Sequence, residues 1–240
     1  MITVIEFRSV QKIYKEDHHV AVKEASFKVE KGEFVFFVGP SGAGKSSLLK
    51  MIYKEEMPTN GQILVFGKDV KRFKTTKLRR NVGVVFQDFE LLKNKTAYEN
   101  VAYALECLGE SPFKIKKKAM TALERMGIEE HAKRYPHQMS GGQQQRIVIA
   151  RAIVNEPKIL VCDEPTGNLD FESAETVMYY LNELNQSGST ILMSTHNMHI
   201  VNKMNKRIMI VEDGVVKTEN EETKFNVTNF IEEIEHTSQT

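Results

Sequence analysis

The sequence predicts an α/β fold in which a largely parallel sheet is covered by helices, preceded by a small β-rich layer and interrupted by an inserted block of helices. Three observations carry this expectation. Runs such as 34–38 and 159–162 are apolar throughout, the pattern of strands buried on both faces of a parallel sheet. Helical patterns alternate with such runs over most of the chain. From about residue 88 to residue 138, however, only helical patterns occur.

In chain order, β-rich runs fall at 2–7, 27–29, 34–38, 63–66, 82–86, 159–162, 190–194 and 207–211. Thr96 and Glu99 form a capping box ahead of Val101, Ala104, Leu105 and Leu108 at helical spacing, and Gly109 can close that helix. A second helix is expected from about Pro112 to Met126, with Ile115, Ala119, Ala122, Leu123 and Met126 as its inward stripe and Gly127 at its end. Asp170 is the expected N-cap of a third, whose apolar positions are Phe171, Ala174, Val177, Met178, Leu181 and Leu184 before Gly188. The sequence contains no internal repeat and no low-complexity linker.

The chain has 240 residues, 41% of them apolar, enough to bury a sizeable core within one large domain. Lys plus Arg number 33 against 32 Asp plus Glu, a net charge of +1, so no global field draws the protein to nucleic acid. The lysine-rich run 114–118 reads as a solvated helix face around Ile115. Cys107 and Cys162 match neither a disulfide framework nor a metal-ligand spacing and are expected to be reduced core thiols. The first residues lack the basic and apolar regions of a signal peptide, and no apolar stretch approaches the roughly 18 residues needed to cross a bilayer. Work at a membrane would require another chain to hold this one there.

Gly39-Pro40-Ser41-Gly42-Ala43-Gly44-Lys45-Ser46 matches GxxxxGK[ST] between an apolar strand run and a helical pattern beginning at Ser47, the context a phosphate loop requires. Its glycines let backbone N–H groups turn inward around phosphates, and the helix N-terminus adds partial positive charge. Lys45 is expected to reach the β and γ phosphates, and the Ser46 hydroxyl to bind Mg²⁺. That loop alone leaves kinases, GTPases and ATPases open. Asp163-Glu164, at the end of the run 159–162, narrows the choice. Asp163 suits Mg²⁺ coordination through water, and Glu164 is placed to polarise an attacking water.

Ser140-Gly141-Gly142-Gln143, followed by a helical pattern, again offers N–H groups and a helix N-terminus to an anion. With the phosphate loop and the acidic pair, this run resembles the signature motif of the ABC ATPases. The resemblance covers most of the chain, from about residue 2 to residue 214, with Met139 where the family usually has Leu and Ser47 where it usually has Thr. It implies a P-loop NTPase (RecA-like) core with an N-terminal antiparallel β subdomain and an α-helical subdomain inserted at about 88–138. That domain would span 1–219, followed by an acidic tail at 220–240. It further implies that Tyr14 stacks on adenine, that Gln87 contacts Mg²⁺ and relays nucleotide state to the helical insertion, and that His196 hydrogen-bonds the γ phosphate. The run 167–170, ending in Asp170, would cross a subunit interface.

In such ATPases the phosphate loop of one subunit faces the signature of its partner, which implies a homodimer closed by ATP and reopened by hydrolysis. Within the family, the segments 39–63, 78–106 and 150–170 resemble the branch serving bacterial cell division. There an integral membrane partner is moved by the ATP cycle at the cytoplasmic face of the cell membrane. Related ATPases of lipoprotein release and of macrolide or peptide export share every catalytic motif. Soluble members acting on DNA or ribosomes carry a long coiled coil or a second cassette, and this sequence has neither. Val227, Phe230, Ile231 and Ile234 in the tail recur at the spacing of a short amphipathic helix.

Overall fold

The structure is a computed structural model describing residues 2–16 and 18–218. Its strands are β1 (Thr3–Ile13), β2 (Val20–Glu30), β3 (Phe34–Val38), β4 (Asn60–Val65), β5 (Lys68–Asp69), β6 (Val82–Val85), β7 (Ile159–Asp163), β8 (Thr190–Thr195), β9 (Arg207–Glu212) and β10 (Val215–Thr218). Its helices are α1 (Lys45–Ile52), α2 (Thr75–Arg79), α3 (Ala97–Glu106), α4 (Pro112–Arg125), α5 (Gly141–Ile153), α6 (Phe171–Gln186) and α7 (Met198–Met204). Short 3₁₀ turns at Glu129–His131 and Pro136–Gln138 lead into α5. The expected α/β class is therefore what forms. The amphipathic pattern read in the tail lies outside the described residues.

The described residues divide into two compact units, one drawn from 2–75 with 192–218 and one of residues 76–191. In the first, strands follow the order β5-β4-β1-β2-β10-β9-β3-β8. β1 pairs antiparallel with both β2 and β4, and β4 with β5, forming the antiparallel layer. β3 instead pairs in parallel with β9, from Val35 opposite Arg207 to Val38 opposite Ile210. Every residue of β3 is buried, and Phe27 joins the layers through a 4.4 Å stack on Phe7 and a 5.7 Å edge contact with Phe37. Burying each such ring contributes about 1.5–3 kcal/mol before chain entropy is counted.

β1 and β2 are longer than their apolar runs suggest. In β2, Val22, Ala25, Phe27 and Val29 face the core while Lys23, Glu24, Ser26 and Lys28 face out, so only its C-terminal half reads as hydrophobic. In β1 the register breaks around Ser9, whose φ of 44° marks an irregularity that also breaks the alternation.

In the second unit β6 and β7 pair in parallel, Val82 opposite Ile159 through Val85 opposite Cys162. A Cβ on Gly83 would lie 2.5 Å from the Ala152 carbonyl oxygen, so glycine is what lets β6 approach α5 closely. The stretch 88–138 holds α3, α4 and the 3₁₀ turns. α3 begins at the predicted capping box, with the Glu99 N–H donating to Thr96 Oγ1 (3.3 Å) and the Thr96 N–H to Glu99 Oε2 (2.7 Å). α4 buries Ile115, Ala119, Ala122 and Leu123, and leaves Lys114, Lys116 and Lys117 in solvent. Phe171, in the first turn of α6, is 59% exposed, and one expectation fails: Cys107 is exposed, leaving only Cys162 as a core thiol.

Candidate functional site

In the first unit, the chain leaves buried β3 at Gly39 and re-enters order at α1, with Gly44 as a left-handed N-cap (φ 106°). A Cβ at Gly39 would sit 1.9 Å from the Val211 carbonyl oxygen, and one at Gly44 would sit 2.1 Å from that of Ala21. Packing thus demands glycine at both ends of the loop. Lys45 is 5% exposed, and its Nζ donates to the carbonyls of Gly39 (2.7 Å) and Pro40 (2.9 Å). The loop therefore curls around its own ammonium group. Ala43 is buried beneath it, whereas Pro40, Ser41, Gly42 and Ser46 face solvent.

Tyr14 joins this cluster: its hydroxyl is 3.1 Å from Ser47 Oγ, and Lys12 Nζ lies 4.6 Å from its ring centroid. Lys12 is itself anchored by Glu56 Oε2 and the Met57 carbonyl. His196 is exposed just past β8. The Asn197 N–H donates back to Thr195 Oγ1 (3.0 Å), and Asn197 Oδ1 caps α7.

In the second unit, β7 is buried from Ile159 to Cys162, and Asp163 emerges half-buried at its end. Burial, reinforced by the Asp163 carboxylate, pushes the Cys162 thiol well above its ordinary range, so it remains a neutral core group. Glu164 adopts a left-handed φ of 46°, uncommon for a non-glycine residue. The Gly167 N–H donates to its carbonyl (3.1 Å), and a Cβ on Gly167 would lie 3.5 Å from Glu164 Oε2. Such backbone outliers concentrate at functional sites.

The signature run starts α5 with a capping box that the sequence reading did not identify. The Gln143 N–H donates to Ser140 Oγ (3.3 Å), and the Ser140 N–H to Gln143 Oε1 (3.0 Å). Gly142 fits flush against Ser173, where a Cβ would come within 2.6 Å of the hydroxyl, and Gly141 lies beneath Leu169 and Phe89. Gln87 is exposed just beyond β6, and its carbonyl accepts from Asn168 Nδ2 at 3.5 Å. Asp170 caps α6 through the Ser173 N–H (2.9 Å). Within this unit Gln87, the 140–143 turn and the 167–170 loop thus form one cluster.

The residues expected to hold a divalent cation offer a hydroxyl (Ser46), an amide oxygen (Gln87) and a carboxylate (Asp163). All are hard oxygen donors, and their small number fits Mg²⁺, which keeps several waters and takes further ligands from phosphates. Among the described residues no helix is long and apolar enough to cross a membrane.

Comparison with known proteins decides the family. The model described as ABC transporter matches residues 22–167, more than half of the chain. The chain belongs to the ABC transporter family. Similar to this ABC ATPase are the cell division ATP-binding protein FtsE of Bacillus subtilis, 49% identical over 216 residues covering 89% of this chain and 94% of that protein, and FtsE of Streptococcus pneumoniae, 45% identical over 218 residues covering 90% and 94%. Among solved structures, a dimeric ATP-binding cassette in a post-hydrolysis state bound to ADP and Pi matches with a TM-score of 0.80 at 35% identity, covering 90% of this chain and 97% of its own. The cbiO1 protein of Clostridium perfringens, part of the ABC transporter complex cbiONQ, matches with a TM-score of 0.85 at 27% identity over 100% of both chains. The chain is thus an ABC-type ATPase, and ATP is its nucleotide.

Sequence reasoning missed two residues that shape this ABC site. Asn100, fully buried in α3, uses its carboxamide to hold Leu92 through N–H (2.8 Å) and carbonyl (3.1 Å) and also donates to the carbonyls of Lys95 and Thr96. Arg151 donates to the carbonyls of Phe89 and Glu90. Neither belongs to a contiguous motif, and a polar residue within a helical stripe gives no signal of remote backbone partners.

Asp170 yields a pH prediction. The Ser173 N–H and hydroxyl hold its carboxyl below the ordinary 3.8. A depressed folded-state pKa contributes stability that is complete above the ordinary value and is lost as pH falls through the folded one. Asp170→Asn keeps an N-cap acceptor without the charge. The stability gap between the two proteins, followed by urea unfolding, is therefore expected to hold steady near neutrality and to shrink below pH 3.8; a gap that widened there would exclude this assignment.

Proposed function

We propose that this ATPase is the cytoplasmic-face subunit of an FtsE-like complex in the bacterial cell membrane, where ATP-driven homodimer closure moves an integral partner resembling FtsX and thereby controls peptidoglycan hydrolases during division. The observation that carries the reading is the capped 140–143 turn in a chain that also holds the Gly39 to Ser46 loop, together with 49% identity to an FtsE. A phosphate loop grips a nucleotide, but two helix starts with glycine-rich, anion-seeking N–H groups suit a triphosphate held between two copies.

In this reading Gly39, Pro40, Ser41, Gly42, Ala43, Gly44, Lys45, Ser46 and Ser47 cradle the phosphates while Tyr14 stacks on adenine. Ser140, Gly141, Gly142 and Gln143 of the second copy cap the γ phosphate, and Asp170 shapes the crossing loop. Ser46, Gln87 and Asp163 hold Mg²⁺, which when bound offsets phosphate charge. Glu164 takes the proton of the attacking water, and His196 hydrogen-bonds the γ phosphate. ADP lacks the γ contacts, so hydrolysis favours the open state by differential affinity. The helical subdomain at about 88–138 is the docking region for the membrane partner, with Gln87 as its link to the nucleotide.

Affinity isolation from membranes with the Glu164→Gln protein tests the assignment. An integral protein of the FtsX type is the expected companion. Recovery of a lipoprotein-release or drug-export permease instead would replace the division role with export.

A further inference from the structure

We propose that Arg151 is a positioning residue that fastens the signature helix to the segment after Gln87, so that the γ-phosphate cap and the Gln87 segment move as one piece. The inference rests on the dimer-closure reading above. Its basis is a contact 61 residues apart in sequence: the Arg151 guanidinium donates through Nη1 to the Glu90 carbonyl (2.6 Å) and, 62 residues away, through Nη2 to that of Phe89 (3.1 Å).

The geometry is specific to arginine. Its planar fork meets two successive carbonyls with two separate nitrogens held in one rigid plane. A lysine ammonium can bridge such a pair only from a single rotatable point charge, as Lys45 does. The segment it grips is unusual too: Glu90 has a left-handed φ of 46° although it is exposed and not glycine. Such backbone persists only where surrounding contacts over-determine it. The contacts here are several. Arg151 holds the carbonyls of Phe89 and Glu90, Asn168 donates to the carbonyl of Gln87, and Asn100 holds Leu92. Burial pushes the guanidinium's pKa down while the Glu90 carboxylate raises it, yet an arginine remains charged throughout the physiological range.

Arg151 and Ser140 occupy opposite ends of α5, roughly 16 Å apart at 1.5 Å per residue. The helix is a stiff rod between them. Its flank is pinned as well, since Arg146 donates to the carbonyls of Met126 (3.2 Å) and Gly127 (3.0 Å). A force applied at the capped N-terminus therefore reaches the Gln87 segment through the Arg151 fork and not through a flexible loop.

The test uses the full chain carrying Glu164→Gln, alone and with Arg151→Lys or Glu90→Val added. Glu90 is exposed, so the valine variant keeps the fold while disfavouring the left-handed turn that presents the carbonyls. ATP-driven dimerisation is followed by sedimentation, nucleotide affinity of the monomer by a fluorescent ATP analogue, and amide exchange by mass spectrometry. Both added changes are expected to weaken dimerisation about tenfold, within the usual span of coupling between sites, to speed exchange at 88–91, and to leave monomer affinity within about twofold. If Arg151→Lys fails to fold, Glu90→Val carries the test. Parent-like dimerisation with parent-like exchange in either folded variant overturns the proposal. So does a fall in monomer affinity with faster exchange throughout α5, which would mark a merely structural residue. Should the Glu164→Gln parent itself stay monomeric with ATP, the closure reading fails, and exchange at 88–91 still decides whether Arg151 holds that segment.

Discussion

Replacing Glu164 by Gln is expected to lower ATP turnover by about a hundredfold to ten-thousandfold while stabilising an ATP-loaded dimer. The change is nearly isosteric, and the site tolerates it: Glu164 is half-buried, at the end of a strand whose core residues lie before it, and its left-handed backbone is held by the Gly167 N–H regardless of side-chain charge. What disappears is the ability to accept a proton from water. The Gly39 to Ser46 loop and the 140–143 cap are untouched, so ATP still binds and still favours closure. Hydrolysis, the step that would remove the γ-phosphate contacts, no longer follows. The two readouts must move in opposite directions: phosphate release falls, and the dimer population in ATP rises. A protein that hydrolysed normally would remove Glu164 from the base role, and one that stayed monomeric in ATP both alone and with the proposed membrane partner would remove the closure mechanism.

The parts of this fold legible in the sequence are those where one interaction dominates. β3 and β7 are apolar over nearly their whole length, as strands buried on both faces are, β8 carries an apolar centre between buried Thr and Ser, and the bounds of all three emerge within a residue or two. α4 and α6 are visible because a single stripe faces the core. β1 and β2 were only half visible, since outward Lys and Glu alternate with core positions and the Ser9 irregularity breaks the period. Phe171 shares the apolar character of the α6 stripe without sharing its burial, because it lies in the first turn of that helix, just after the cap at Asp170. At the site, the Gly39 to Ser46 loop was legible because its chemistry is contiguous: two glycines are forced by carbonyls only about 2 Å from any added Cβ. Arg151 was not, because its partners are the carbonyls of Phe89 and Glu90, and a carbonyl carries no side-chain signature.

The second large effect is expected from Lys45→Ala, which should weaken ATP binding by at least a hundredfold. Two losses add. The first is direct: hydrogen bonds from an ammonium to charged acceptors are worth about 1.5–3 kcal/mol each, so losing two of them costs a hundredfold or more in affinity. The second concerns the loop itself. Lys45 Nζ bonds the carbonyls of Gly39 and Pro40, which cross-braces the turn from inside. Alanine removes that brace and leaves Gly39 and Gly44 to hold a loop with wide backbone freedom, so the N–H groups that should converge on phosphate must be ordered at the moment of binding. Global unfolding is not expected, because β3 and the buried Leu48, Leu49, Met51 and Ile52 of α1 keep the strand and helix in place. Binding of a fluorescent ATP analogue, compared with a circular dichroism melt, separates the two outcomes. Lost affinity with a preserved melt is the expected result. Undiminished affinity would show that the phosphates lie elsewhere, and the dimer cap at 140–143 would then have no γ phosphate to close upon.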